Sequence, residues 1–210
     1  MTAGTLSDAR SELVRRRVLD GVAQVIERGE ALTFANVAAA GGVPERTLYR
    51  HFPTREALLA AVFELVNERV GFHGEAPTDG AALAELVRRV FPGFDAVAPV
   101  IHELLIAPEG RLVRLASKPA RQRAALELVR NELGELDRAQ ARRIAAVLQL
   151  LTAAATWQTL RDYWDMDGAE AAETAALAIE LLLAGARGRA EHSAKPARST
   201  RARTRTRSGA

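Results

Sequence analysis

Apolar residues in this chain recur at spacings of three and four from one end to the other, and no convincing run alternates with period two between turn residues. That spacing lays one apolar stripe on a helix of 3.6 residues per turn and leaves a pleated strand nothing to bury, so the expected fold class is all-α. Glycine and proline cut the pattern into pieces. Ser7 is placed to cap a first helix carrying Val14, Val18, Val22, Val25 and Ile26 and ending at Gly29. Gly21 lies inside that helix, at some cost in helix propensity. Thr33 caps a short helix over Phe34–Ala40, Gly41-Gly42-Val43 turns the chain, and Pro44 suits the first position of another short helix. Thr54 then caps a longer one with Leu58, Leu59, Val62, Phe63 and Val66 on one face.

The Gly- and Pro-rich stretch from Gly71 to Gly80 reads as a seam. Beyond it, Leu83, Leu86, Val87 and Val90 share a face. Pro92-Gly93 is expected to break the chain before an apolar helix around Phe94 to Ile106, and Pro108 to break it again before a more polar helix from Pro119 to Gly134. Asp137 with Gln140, and Asp167 with Glu170, resemble capping boxes ahead of two helices rich in Ala and Leu, the second stopping near Gly185. Both are more apolar than a one-sided surface helix needs, so they are either central or packed against another chain. The expected organisation is therefore a small module over 8–70, a larger helical body over 78–186, and a basic, disordered tail over 188–210.

The stretch "GGVPERTLYRHFPTREALL" carries the most chemistry. Two short helices joined by a glycine turn, with a longer helix on each side, make a helix-turn-helix unit. At about 100° per residue, with Leu48 pointing inward, Phe52 lies close to it, whereas Arg46 and Arg50 face the opposite way. A helix of about two turns has little stability of its own. Leu48 and Phe52 are its anchors, expected against Val37, Val43 and Ile26, and the opposite side is free to enter a major groove, where arginine donates bidentately to guanine.

Thr33, Val37-Ala38, Gly42-Val43, Thr47-Leu48-Tyr49, His51-Phe52 and Arg55-Glu56-Ala57-Leu58 together resemble the TetR/AcrR-type transcriptional regulators, closely over residues 10 to 66. The resemblance implies an N-terminal helix-turn-helix DNA-binding domain of three helices, then a larger helical ligand-binding and dimerisation domain. It implies a homodimeric repressor on a palindromic operator, with double-stranded DNA as partner. Glu45, Arg46, Thr47 and Arg50 fall in the base-reading stretch, while Thr33, Tyr49, His51 and Arg55 match positions near the DNA backbone. It also implies that helices over 137–165 and 168–186 pair with those of a second copy, and that a small-molecule effector binds between helices of the body. Phe94, His102, Trp157 and Trp164 are the candidates to line that pocket. Gly41 and Pro44 depart from the family's usual alanine and serine.

Charge narrows the alternatives. Residues 187–210 hold eight Arg or Lys against Glu191, so of the chain's +3 the first 186 residues carry −4. A mildly acidic body with a basic tail leaves room for a second reading, a non-specific DNA-binding protein driven by the tail through counterion release. A third is an all-helical enzyme. There is no cysteine, no phosphate loop, no HExxH and no readable Ser-His-Asp set, so no catalytic residue, metal site or cofactor is expected beyond the effector. Met1 to Asp8 shows no charged leader before an apolar run, and no uninterrupted stretch reaches the ~18 apolar residues of a membrane span. A cytoplasmic protein with no membrane partner is the expectation.

Overall fold

The computed structural model describes residues 3–72 and 75–194, all of whose regular elements are helices. The head is built from α1 (Ala3–Glu27), α2 (Phe34–Ala40), α3 (Glu45–His51) and α4 (Arg55–Arg69). The body follows as α5 (Gly80–Asp95), α6 (Ala98–Ile106), α7 (Pro108–Ala116), α8 (Lys118–Leu133), α9 (Arg138–Leu151), α10 (Ala154–Trp164) and α11 (Gly168–Ala194). The caps read from the sequence are largely in place. The Thr33 and Thr54 hydroxyls accept from the amides of Asn36 (3.2 Å) and Ala57 (3.1 Å). Asp167 and Glu170 exchange backbone-to-carboxylate bonds in both directions, a full capping box, whereas the Asp137 carboxylate accepts from Ala139 and Gln140 without a returned bond.

Several boundaries differ from expectation, each for a local reason. Helix α1 begins at Ala3, so Ser7 lies inside it. Pro44 stands at the N-cap of α3, one position earlier than the first helical turn. Helix α5 runs through Pro92 to Asp95 because Phe91 and Phe94 are both buried, and their packing outweighs a proline cost of about 3 kcal/mol in a helix interior. Pro108 starts a helix rather than breaking one: Ala107 is extended, which the following proline favours, and α7 fits between two elements that the sequence pattern ran together. The expected helix over 137–165 is two, since Ala153 is extended and the hydroxyls of Thr152 and Thr156 take the carbonyls of Gln149 (3.1 Å) and Leu150 (2.5 Å) at the end of α9. Helix α11 passes Gly185 and Gly188 and continues to Ala194, with Arg187 pairing back onto Glu132 of α8. The rest of the basic tail, 195–210, lies outside the described residues.

Two close approaches fix the head. A Cβ on Gly21 of α1 would sit 2.6 Å from the Gly41 nitrogen and 2.7 Å from the Val37 carbonyl oxygen, and one on Gly41 would sit 2.6 Å from the Arg17 carbonyl oxygen. Only glycine at both places lets α2 lie directly on α1. Gly42 then turns the chain at φ +61°, a conformation that favours glycine. The result buries Val18, Val22, Val25, Val37, Leu48 and Phe52 in one core with Leu58, Leu59 and Val62 of α4.

In the body, α11 lies along α5, and Ala171, Ala172, Ala175 and Ala176 are the small residues that allow the contact. Phe91, Phe94 and Trp157 form a tilted aromatic chain, with centroids 5.6 and 5.5 Å apart. Asp95 ties three helices: one oxygen accepts from the Trp157 indole at 3.0 Å and the other from the Gly168 amide at 2.6 Å. Head and body meet where α1 and α4 touch α6 and α7.

The glycine contact has a measurable consequence. Gly21→Ala is expected to lower stability by about 1–3 kcal/mol in urea or thermal unfolding, as overpacked sites do. Gly188→Ala, at an exposed helical position with nothing near its Cβ, should be neutral or stabilising by up to about 1 kcal/mol.

Candidate nucleic-acid interface

Helix α3 is held from within by two side chains. Leu48 is fully buried and Phe52, at its C-cap, nearly so. Val37 and Val43 belong to the same core, and half-buried Ile26 packs against it, as expected. Arg15 of α1 lies over the Phe52 ring at 5.8 Å from its centroid, so of the three consecutive arginines on α1 this one stacks inward, while Arg16 pairs with Glu12 at 3.3 Å. The outer side of α3 presents Glu45, Arg46 and Arg50, all exposed, with Thr47 half-buried at the flank. Among the described residues, neither Arg46 nor Arg50 takes part in an ion pair.

Tyr49 has a partner that the sequence pattern does not indicate. Its ring stacks on Phe34 of α2 with centroids 4.4 Å apart and planes within 2°. That stack ties the two short helices together and leaves the half-exposed Tyr49 beside the first turn of α2, where Thr33 caps. His51 is half-buried, and its Nε2 is turned inward without a hydrogen-bond partner.

Arg55 is engaged. Its guanidinium donates to the Leu32 carbonyl, lies 2.7 Å from the Glu103 carboxylate of α6, and lies 3.6 Å from that of Glu109 on α7. The position that the resemblance gives to a phosphate is thus where the head is tied to the body. Only the assembled fold brings residues 48 and 54 positions apart in the chain to one guanidinium.

The four expected pocket residues do not surround a cavity. Phe94 and Trp157 are buried in the aromatic core, Trp164 is 69% exposed, and His102 is exposed with its Nδ1 2.9 Å from the Gln158 amide nitrogen. A cavity of about 270 Å³ lies elsewhere, between Leu83 and Leu86 of α5, Ala124, Ala125 and Leu128 of α8, and Leu148 of α9. Its polar lining is Arg121, Gln149 and Thr152, with Glu75 and Phe72 from the seam. Arg121 occupies the apolar stripe of α8, at positions 121, 124, 125 and 128. A charged residue in that register is the one sequence signal for it.

The Arg121 Nη2 donates to the Arg114 carbonyl at the end of α7, and its Nε is buried without a partner. Arg114 in turn donates to the carbonyls of Leu104 and Leu105 that end α6. Burial lowers the pKa of Arg121; burial, then repulsion from Arg121 and Arg111, lowers that of Arg114. No carboxylate pairs with either among the described residues. No group of three or more His, Cys, Asp or Glu there is placed to hold a metal ion, and no described helix is long and apolar enough to cross a membrane.

Known proteins resemble both the head and the whole helical layout. The sequence model of "Bacterial regulatory proteins, tetR family" matches residues 21–62, which run from Gly21 to Val62 of α4. The HTH-type transcriptional repressor LfrR of Mycolicibacterium smegmatis is 29% identical over 103 residues, 48% of this chain and 54% of its own, so the chain spans about half the length of the curated relative it matches. The crystal structure of the multidrug binding protein EbrR complexed with imidazole shares the fold at a TM-score of 0.52 and 20% identity, covering 80% of this chain and 93% of its own. Apo ActR of Streptomyces coelicolor aligns at a TM-score of 0.48 and 16% identity over 86% of this chain and 97% of its own. The tetR-family model thus falls on the helix-turn-helix module that α1 to α4 build, and it is there that the chain resembles these regulators.

Proposed function

We propose that the protein is a sequence-specific DNA-binding transcriptional regulator, a ligand-responsive homodimeric repressor acting on a palindromic operator. The observation that carries this reading is the division of α3: Leu48 and Phe52 hold it to the head while Arg46 and Arg50 stand exposed and unpaired on the other side. In this reading Arg46 and Arg50, with Glu45 and Thr47 beside them, meet base edges. Thr33, Tyr49 and His51 meet phosphates, which set register without specifying sequence. The matched family and the printed name of LfrR, a transcriptional repressor, point the same way.

Exposed apolar side chains support a second copy packed on α9 and α11. Val147 and Leu150 of α9 and Leu177 and Leu181 of α11 are 42–64% exposed, more apolar surface than these helices need in one chain. Pairing them with their equivalents by a two-fold axis gives two reading heads, which must stand about 34–36 Å apart to enter successive major grooves. An effector in the body that favours a different head separation shifts the population away from the DNA-binding form.

Three outcomes are expected. In binding assays across operator variants, Arg46→Ala and Arg50→Ala relax sequence preference by about 1–3 kcal/mol per lost bidentate contact, whereas Tyr49→Phe weakens binding on all sequences alike. Specific binding that survives all three changes would overturn the assignment of α3. Leu177→Glu with Leu181→Glu produces a monomer in sedimentation and loses operator binding at working concentrations.

Arg55 acts as the tie between head and body. Arg55→Ala and Glu103→Gln are therefore expected to couple by about 0.5 kcal/mol or more in unfolding, with the salt dependence of DNA binding unchanged. A salt slope flatter by about one in Arg55→Ala alone would identify a phosphate contact instead.

A further inference from the structure

The cavity beside α8 is apolar on most of its wall and holds one guanidinium that has no counter-ion among the described residues. Leu83, Leu86, Leu128 and Leu148 supply the apolar wall, and Gln149 and Thr152 add neutral polar groups. Arg121 spends one nitrogen on a backbone carbonyl and leaves Nε buried and unpartnered. A carbonyl oxygen satisfies a donor but does not neutralise a charge. Arg114, the nearest cation on α7, adds repulsion rather than relief. Arg121 is half-buried with its Nε enclosed, a placement that an opposite charge would stabilise, and a carboxylate accepts two parallel bonds from a guanidinium.

From this we infer that the cavity binds a small amphipathic carboxylate, its acid group on Arg121 and its apolar part against the leucines of α5, α8 and α9. The inference rests on the reading of the helical body as an effector domain. At about 30 Å³ for each water-sized group, 270 Å³ takes roughly nine such groups, the size of a medium-chain fatty acid or an arylalkanoic acid. Glu75 also lines the cavity but is exposed on the seam and forms no ion pair with Arg121. A cationic ligand would set its charge against Arg121. An uncharged one would leave the guanidinium as it is.

The test uses the full chain without DNA and four probes: octanoate, 4-phenylbutyrate, octanol and octylammonium, measured by calorimetry at fixed ionic strength. The expected result is binding of both acids, at least about tenfold weaker binding of octanol, as loss of one charge-assisted pair implies, and no binding of octylammonium. Arg121→Gln is expected to remove that tenfold preference while leaving octanol affinity unchanged. Equal affinity for octanoate and octanol, tighter binding of octylammonium, or no binding of either acid to the wild-type chain would overturn the inference, and none of these depends on the variant folding. A second arm measures operator binding with and without octanoate. Failure to bind the operator at all counts against the regulator reading; operator binding with no acid uptake counts against the cavity assignment alone.

Discussion

The contact of α1 with α2 across Gly21 and Gly41 sets the rest of the head. Helix α3 has seven residues and cannot stand by itself. Its position comes from α2 through the turn at Gly42 and from the core that α1 supplies under Leu48 and Phe52. With backbone against backbone at the α1–α2 contact, α2 has almost no freedom to shift, and α3 inherits that rigidity. For the proposed contact with DNA, rigidity matters because a helix displaced by an ångström no longer aligns its donors with base edges. The Phe34–Tyr49 stack adds a second constraint outside the core.

Head and body are joined differently. Their contact is carried by α1 and α4 against α6 and α7, where the apolar core is continuous and a part-buried ion pair joins Arg55 to Glu103. The carbonyl held by Arg121 belongs to α7, the helix that also carries Glu109 toward Arg55. The cavity and the head are thus connected through one short helix. Energetic coupling between them requires that α7 have two arrangements which both sites bias.

Elements with strong periodicity and standard caps are legible in the sequence. Phe34–Ala40, the cap at Thr54, and the two-sided character of α3 follow from local rules, because their ends are set by side chains within three or four residues. Gly21 inside a helical pattern signals close packing, and the backbone of α2 lies against it. The places where the pattern misleads share a cause. Proline at position 92 sits in a helix kept intact by distant packing, and proline at 108 starts a helix where the pattern implies a break. The division between α9 and α10 turns on threonine hydroxyls that compete for carbonyls, an effect that an Ala- and Leu-rich pattern hides.

The sequence by itself determined an all-helical chain and a helix-turn-helix head whose buried and exposed residues sort as the helical period implies. These are decided within a few residues, by helical period, capping and turn chemistry. Tertiary structure alone decided that Arg55 meets Glu103 and Glu109, that Trp157 and Phe94 fill a core, and that Arg121 lines a cavity with no carboxylate partner among the described residues. Each depends on which helices become neighbours. Between distant parts of a chain, that is fixed by how side-chain volumes fit together, and residue spacing along the sequence carries little of it.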